Sequence, residues 1–458
     1  MSATLRSCPL RYAGIALCLL VSGCATYEPA PVDPRVVLEA LERASPRSVT
    51  SAGAAVELAD GMSPLEAAAI AVHLQPQLRA LRAEVGVTAA ELVQAGLLPD
   101  PSIGWEAGNV IADFITDRKS TSNSYLAGGY LSWDVPRPGE IDAREGVARA
   151  RVDEARAVLF AAEWRLVREV RLAWLRLAAA RAALELNRAQ ADVARRTRAL
   201  VDAARNIGEA TSVQAALADV ALARVEAARS GLTLEEVEGM HALLGLMGLP
   251  PSTPLVLQDA AAALDPAPPP TQSPERLTAA ALARRPDLRE LEARYQQAEE
   301  TLRYEVARQW PEISIGTGIG IRLPIFSRFN APAIETARRA RDAARERLVS
   351  VVHELRRSVH LAHATWSQAD ARAATLKERL LPALEEAVRL TRAAQAAGEV
   401  SPLEILTAQA QLLEVEREVL DARVRRASAL VDLEAAAGVL LPTPGGHPDD
   451  AAPPEADK

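Results

Sequence analysis

Cysteine is nearly absent from this 458-residue chain: its three copies, Cys8, Cys18 and Cys24, all fall in the first two dozen residues. No disulfide can staple the remaining body, so packing and assembly must stabilise it. Aromatic residues are only 3% of the chain, which argues against a thick globular core and for thin seams of Ala and Leu. A basic stripe is missing as well. The net charge is −8 and the charges are of mixed sign, which excludes a nucleic-acid partner. There is no Gly-rich phosphate loop after a strand, no G-x-S-x-G elbow and no H-E-x-x-H pair, so no catalytic residue and no cofactor is expected. Four methionines make no thioether ladder for Cu(I).

What is present is helix former in quantity, and a duplication. Ser63-Pro64, Pro76 and Pro101 recur as Ser273-Pro274, Pro286 and Pro311, offset by 210 positions (286 − 76). Gly208-Glu209 and Gly248 recur as Gly398-Glu399 and Gly438, offset by 190 (398 − 208). The chain is therefore two tandem copies of one helix–hairpin–helix unit, the second short of about 20 residues near its middle. The first repeat is residues 63–248 and the second 274–438, joined by a Pro-rich linker at 249–273, with a disordered acidic tail at 439–458.

The amino terminus carries an address. Arg6 and Arg11 precede an apolar run from Tyr12 to Val21, too short for a membrane-spanning helix and typical of a signal sequence. It ends in Leu20-Val21-Ser22-Gly23-Cys24, which resembles the bacterial lipobox. Residues 1–23 are then a lipoprotein signal peptide, Cys24 the point of lipid attachment, and 24–62 an extended, Pro-marked leader.

Within the first repeat the spacing predicts helix from Pro64 to Leu98, kinked or restarted at Pro76, then a hairpin over about 101–136. Leu131, Trp133 and Val135 share one face and Ser132 and Asp134 the other, with Ile103–Val110 as partner strand and Asp117–Asn123 as loop. Trp105, Tyr125, Tyr130 and Trp133 concentrate here, as aromatics do at a membrane boundary. A helix of about Glu140 to Asn206 follows, with a near-heptad Ala/Leu seam through Val152, Leu159, Leu166, Leu177 and Leu184. Gly208 breaks it, and Thr211 or Ser212 caps the next helix, which runs to about Met247. The second copy repeats the plan, with helices at about Pro274–Arg308, Pro332–Ala396 and Pro402–Ala437. Its hairpin must fit about 311–326, and a turn at Gly316–Gly318 leaves arms of only five or six residues.

The run Ala281–Leu288, the strand exit Leu323-Pro324-Ile325-Phe326 and the stretch Gly398–Gln409 resemble the TolC-type outer-membrane efflux factors over about residues 63–438. The two strand exits, Trp133-Asp134-Val135-Pro136-Arg137-Pro138-Gly139 and Leu323–Phe326 followed by Ser327-Arg328-Phe329-Asn330, look most like the heavy-metal cation branch. The resemblance implies a mainly α fold with a small β part, assembled as a homotrimer. Each protomer gives four strands to a shared transmembrane β-barrel, and its helices build an α-helical periplasmic barrel. It also implies a periplasmic adaptor, an inner-membrane RND-type pump and outer-membrane lipid as partners. On that reading the chain is a passive export conduit for metal cations or drugs. The alternative is a lipid-anchored periplasmic scaffold without a pore, which the short second hairpin favours. By resemblance the periplasmic tip, where the adaptor docks, is Gly208, Thr211, Ser212, Gly398, Val400, Ser401 and Leu403. Glu404 takes the place of an acidic ring at the entrance, while Thr407 stands where a second acid is usual. The ordinary reading of Glu404 is a first-turn acid favoured by the helix dipole. His353, His360 and His363 share one helix flank, but His353 lies too far along the axis for one coordination sphere, so no metal is assigned there.

Overall fold

The computed structural model describes residues 27–45, 61–110, 124–208, 210–258, 260–266, 272–316, 319–397, 400 and 402–440. The signal peptide, Cys24, the 117–123 loop, the turn at 317–318 and the tail beyond 440 lie outside them. The chain divides into two compact units, Met1–Arg43 and Ala44–Lys458.

In the first unit the leader is not wholly extended, as expected, but holds helix α1 (Pro34–Glu42). Its prolines read as linker, yet Pro34 occupies the first helical turn, where a missing N–H costs nothing. The Asp33 carboxylate caps that turn by accepting from the Arg35 N–H at 2.9 Å.

In the second unit α2 (Pro64–Leu74) and α3 (Pro76–Ala95) meet at the break that Pro76 imposes. Ser63 opens α2 with a capping box, its hydroxyl accepting from Glu66 N–H while the Glu66 carboxylate accepts from Ser63 N–H. Strands β1 (Ser102–Val110) and β2 (Ser124–Val135) form the first hairpin. Helices α4 (Glu140–Asn206) and α5 (Ser212–Met247) form the first long helical hairpin. The short α6 (Ala260–Ala263) lies between the repeats. The second repeat gives α7 (Pro274–Arg284), α8 (Pro286–Ala307), β3 (Glu312–Gly316) and β4 (Ile319–Arg322). Helix α9 (Ala331–Thr375) then passes through one π turn (Leu376–Leu380) into α10 (Leu381–Ala396), and α11 (Pro402–Ala437) returns. The sequence reading gave Pro332–Ala396 as one plain helix. Pro382 has no N–H to offer the preceding turn, and the π turn is how the chain passes it without breaking.

The core is local. Ala67, Ile70 and Ala71 of α2 pack on Val170, Trp174 and Leu177 at the middle of α4, on Leu243, Leu244 and Met247 at the end of α5, and on Val431 of α11. A smaller copy joins Leu277 and Ala281 of α7 to Leu355 and Val359 of α9 and to Leu433 and Ala437 of α11. Each repeat thus lays its short first helix across its own long pair. Away from this girdle the helices keep only thin seams, such as Val201 with Ala215 and Ala218. The two long hairpins end alike. Gly248 and Gly438 close α5 and α11 at φ +69° and +68°, where a side chain would be strained.

The linker does not dangle. Leu249, Leu255 and Leu264 are buried, and Met62 is bracketed by it: Met62 N–H donates to Val256 O at 2.9 Å and Gln258 N–H to Met62 O at 3.1 Å. Trp174 Nε1 donates to that same Met62 carbonyl at 2.8 Å. Asp265 then pairs with Lys377 at 2.7 Å and Arg426 at 2.8 Å. Burial opposes its ionisation. The Lys377 hydrogen bond and the charges of Lys377, Arg423 and Arg426 nonetheless hold its carboxyl below the usual range.

Candidate functional site

Two places carry the chain's unusual chemistry: a small sheet and the turns at the far end of the long helices. The sheet has the order β1-β2-β3-β4, antiparallel throughout. Its register sorts residues cleanly. Ile103 lies opposite Leu131, Trp133 opposite Ile315, Val135 opposite Ile313, and Ile313 and Ile315 opposite Ile321 and Ile319. Because side chains alternate between faces, all of these share one side. Ser102, Ser132, Asp134, Glu312, Ser314, Gly316, Gly320 and Arg322 occupy the other. The apolar side is bare: Ile103 is 85% exposed, Ile319 78% and Ile321 63%. Trp133 and Val135 on the same side are half-buried, and exposed apolar side chains gathered on one face mark an interaction surface. Trp105, Tyr125 and Tyr130 fall on β1 and β2, but their side chains lie outside the described residues.

The polar side is clamped at its foot. Arg137 reaches Glu312 at 2.9 Å and Glu140 at 3.2 Å, and its Nε donates to Trp310 O at 3.0 Å. Arg322 completes the cluster by reaching Glu312 at 2.8 Å. One arginine therefore ties the root of the first hairpin to that of the second. Below β4 the chain turns through three consecutive non-glycine residues at positive φ: Arg328 (50°), Phe329 (53°) and Asn330 (63°). Such backbone costs of order 1–3 kcal/mol per residue and needs support. The Asn330 amide supplies it by donating to Glu305 O at 2.8 Å.

At the helical tip, Thr211 and not Ser212 is the cap. Its hydroxyl accepts from Gln214 N–H at 3.2 Å, and Gln214 Oε1 accepts from Thr211 N–H at 2.8 Å. Gly208 turns the chain at φ +81°, with open space around its Cα, and Ser212 begins α5. Of the second tip, Val400 is half-buried, Glu404 and Thr407 are exposed in the first turns of α11, and Ile405 packs inward. Gly398, Ser401 and the Leu403 side chain lie outside the described residues. Sequence reading missed the apolar residues beside the first turn. Ile207, Val213 and Leu217 are all exposed, and their spacing around a capped glycine turn was the available signal.

His353 is exposed and His360 and His363 are half-buried along α9, and the His363 ring lies 6.3 Å from that of Trp366. No group of three or more His, Cys, Asp or Glu among the described residues is placed to hold a metal ion. No described helix is long and apolar enough to cross a membrane.

The family model for outer membrane efflux proteins matches residues 70–249 and 313–439. No curated protein matches the chain. Among solved structures the outer-membrane channel OprN is 19% identical over 82% of this chain and 89% of its own, with a TM-score of 0.67. The MtrE outer membrane channel of Neisseria gonorrhoeae, in its open state, is 19% identical over 82% of this chain and 89% of its own, at 0.65. CusC, whose structures address folding and transmembrane channel formation, is 19% identical over 81% and 91%, at 0.64. These likenesses carry the fold, and the family match spans well over half of the sequence. A two-faced sheet set beside duplicated long helices is what such a channel requires, and the chain belongs to the outer membrane efflux protein family.

Proposed function

We propose that the chain is the outer-membrane exit channel of a tripartite efflux pump, working as a homotrimer without chemistry of its own. The observation that carries this is the sheet: one face apolar, with Ile103, Leu131, Ile315, Ile319 and Ile321 exposed on it, the other polar along β3 and β4, and outer edges on β1 and β4 to which no described strand is bonded. Within hydrocarbon every backbone group must be bonded, at several kcal/mol for each one left open, so an open four-stranded sheet cannot stay there alone. Three copies placed edge to edge make a closed twelve-stranded wall, apolar outside and polar inside.

The helices ask for the same neighbours. Val87, Val93, Phe160, Leu200, Leu234, Val349 and Leu390 stand exposed along them, and away from the girdle the seams bury only thin rows of side chains. On this reading the three protomers bury these faces in a periplasmic tunnel. The turns at Gly208–Ser212 and at Val400, with Ile207, Val213 and Leu217, receive a periplasmic adaptor that links the channel to an inner-membrane RND-type pump. Three Glu404 carboxylates at the entrance favour cations. Cys24 carries lipid that holds the leader at the outer membrane. Metal cations and drugs are both open as cargo.

The short β3–β4 hairpin favours a second reading, a lipid-anchored periplasmic scaffold without a pore. Purified protein reconstituted in planar bilayers separates the two. A channel gives discrete conductance steps, weaker in Glu404→Gln for cations; a scaffold gives none.

A further inference from the structure

We infer that Arg328 of one copy grips Asp100 of the next, an ion pair across the subunit boundary that repeats between chains what Arg137 does within one. This rests on the trimeric channel proposed above. The first observation is that the two arginines are duplicates of one another. They lie 191 positions apart (328 − 137), the spacing that also separates Glu140 from Ala331 at the heads of α4 and α9. The backbone agrees. Glu140 N–H donates to Arg137 O at 3.0 Å and Ala331 N–H to Arg328 O at 3.2 Å. One turn on, Ala143 N–H donates to Gly139 O and Ile334 N–H to Asn330 O, both at 3.0 Å. Gly139 and Asn330 are both left-handed, at φ +76° and +63°.

The second observation is that Arg137 is engaged and Arg328 is not. Arg137 reaches across the seam between the two hairpins to Trp310 O and the Glu312 carboxylate, on either side of Pro311 at the entrance to β3. Arg328 is exposed, and among the described residues its guanidinium has no partner. Its backbone is nonetheless fixed. Arg328 opens the run of three positive φ values, and Phe329 N–H closes that turn by donating to Pro324 O at 2.8 Å. Strained backbone that holds a charge in place, with nothing in the chain for that charge to meet, points to a partner outside it.

Strand order supplies that partner. Round a closed wall β2 is followed by β3, and β4 by β1 of the next copy. The head of α9 therefore stands beside the entrance to the next β1, as the head of α4 stands beside the entrance to β3. The two entrances are themselves duplicates at an offset of 210: Pro101 matches Pro311, Ser102 matches Glu312 and Asp100 matches Trp310. The acid has moved by two residues. Proline holds the residue before it extended, and residues two apart in an extended segment present their side chains to the same side. The Asp100 carboxylate thus takes the side that Glu312 takes. Asp100 is exposed and, among the described residues, its side chain also has no partner. Leu97 and Leu98 flank it on one edge, and Phe326 and Phe329 flank Arg328 on the other, each more than half exposed in the single chain. Brought together, these apolar groups exclude water from the bridge.

The full-length protein in detergent tests this with Asp100→Cys and Arg328→Cys combined in one chain and treated with a short bis-maleimide. Covalent dimers and trimers on denaturing gels are expected from the combined variant and from neither single one. In a second arm, Asp100→Arg and Arg328→Asp should each weaken the trimer, by about threefold per bridge and so about 30-fold over three. The two together restore the pair with its signs exchanged and should recover the trimer-to-monomer equilibrium of the parent. A trimer that yields no covalent product, charge variants as stable as the parent, or single losses that the exchange does not recover each overturn the bridge while leaving the channel standing. A parent protein that is monomeric in the same detergent removes the trimeric wall, and the bridge with it.

Discussion

Placing an arginine at Ile319 separates a bilayer-facing sheet from a water-facing one. Ile319 is the first residue of β4, at the top of the short hairpin, on the aliphatic side and 78% exposed. In a wall that starts at the periplasmic boundary, about 13 Å of rise brings this position close to the bilayer midplane. A cationic side chain facing lipid there costs about 2–4 kcal/mol per protomer, and near the boundary only about 0–1 kcal/mol. On a water-exposed sheet the same substitution stays within about 0.5 kcal/mol of neutral. Ile319→Arg should therefore shift the folding equilibrium into phosphatidylcholine vesicles by roughly 30- to 900-fold, since about 1.4 kcal/mol is tenfold. Ile313→Arg, opposite Ile321 and nearer the root, should cost less, and Ser314→Arg on the polar side least of all. Urea titration of vesicle-inserted protein, followed by the heat-resistant band on gels, measures all three. Equal stability of Ile319→Arg and the parent would refute the lipid-facing assignment, and an equal loss in all three would refute the two-sidedness.

Gly248→Ala puts a side chain at φ +69° with its Cβ 3.0 Å from Leu74 O, and should cost about 1–3 kcal/mol in thermal unfolding, with Gly438→Ala behaving alike. The Glu416 carboxyl is raised above its ordinary range by burial and then by the nearby charge of Glu385. The folded state therefore holds that proton more tightly than the unfolded chain, so stability falls as pH rises through the folded-state value. Glu416→Gln should flatten that slope and raise the midpoint at neutral pH. Asp265 has the opposite sign. Its lowered carboxyl contributes stability above the unfolded value of about 3.8 that is lost as pH falls through the folded one, so Asp265→Asn should loosen the linker at neutral pH, read as faster proteolysis after Leu264. Cys24→Ser should abolish incorporation of labelled palmitate; incorporation that persists removes the lipid anchor from that residue.

The long elements were legible because their signals are redundant. The seam through Val152, Leu166 and Leu177, the breaker at Gly208 and the cap three residues beyond it all agree, and α4 spans Glu140–Asn206 as read. The alternation in Leu131–Val135 and in Ile313–Ile321 gave both faces of the sheet before any register was known. Proline was where reading failed. Pro34 marks an extended leader by composition yet opens a helix, while Pro382 lies in a stretch that reads as plain helix yet imposes a π turn. The same residue type starts, bends or excludes a helix according to its position in the first turn, which composition does not reveal. The burial of the linker between the repeats is not legible for another reason. Leu249, Leu255 and Leu264 have no periodicity, and only the groove beside Met62 and Trp174 gives them somewhere to be buried. At the tip, the spacing of Ile207, Val213 and Leu217 around a capped glycine turn is the local signal, and their exposure follows from the assembled turn.

The missing residues of the second copy fall in one place, and the reason is geometric. Pro101 and Pro311 are 210 apart, while Glu140 and Ala331, which begin the long helices, are 191 apart (331 − 140), so 19 of the 20 were lost between them. From there to the tip the copies match almost residue for residue: α4 has 67 residues, against 45, 5 and 16 for α9, the π turn and α10. A residue removed from a packed helix turns everything beyond it by about 100° and draws it back 1.5 Å, which would take the seam off its partner and leave the two tips at different heights. A hairpin has no such constraint. Removing equal lengths from both arms lowers the turn and leaves every remaining pair in register, as the pairing of Ile313 with Ile321 and Ile315 with Ile319 still shows. Tunnel length is thus fixed by packing while wall height is free to change, and it is at the membrane exit, not along the helices, that this chain can depart from a uniform twelve-stranded cylinder.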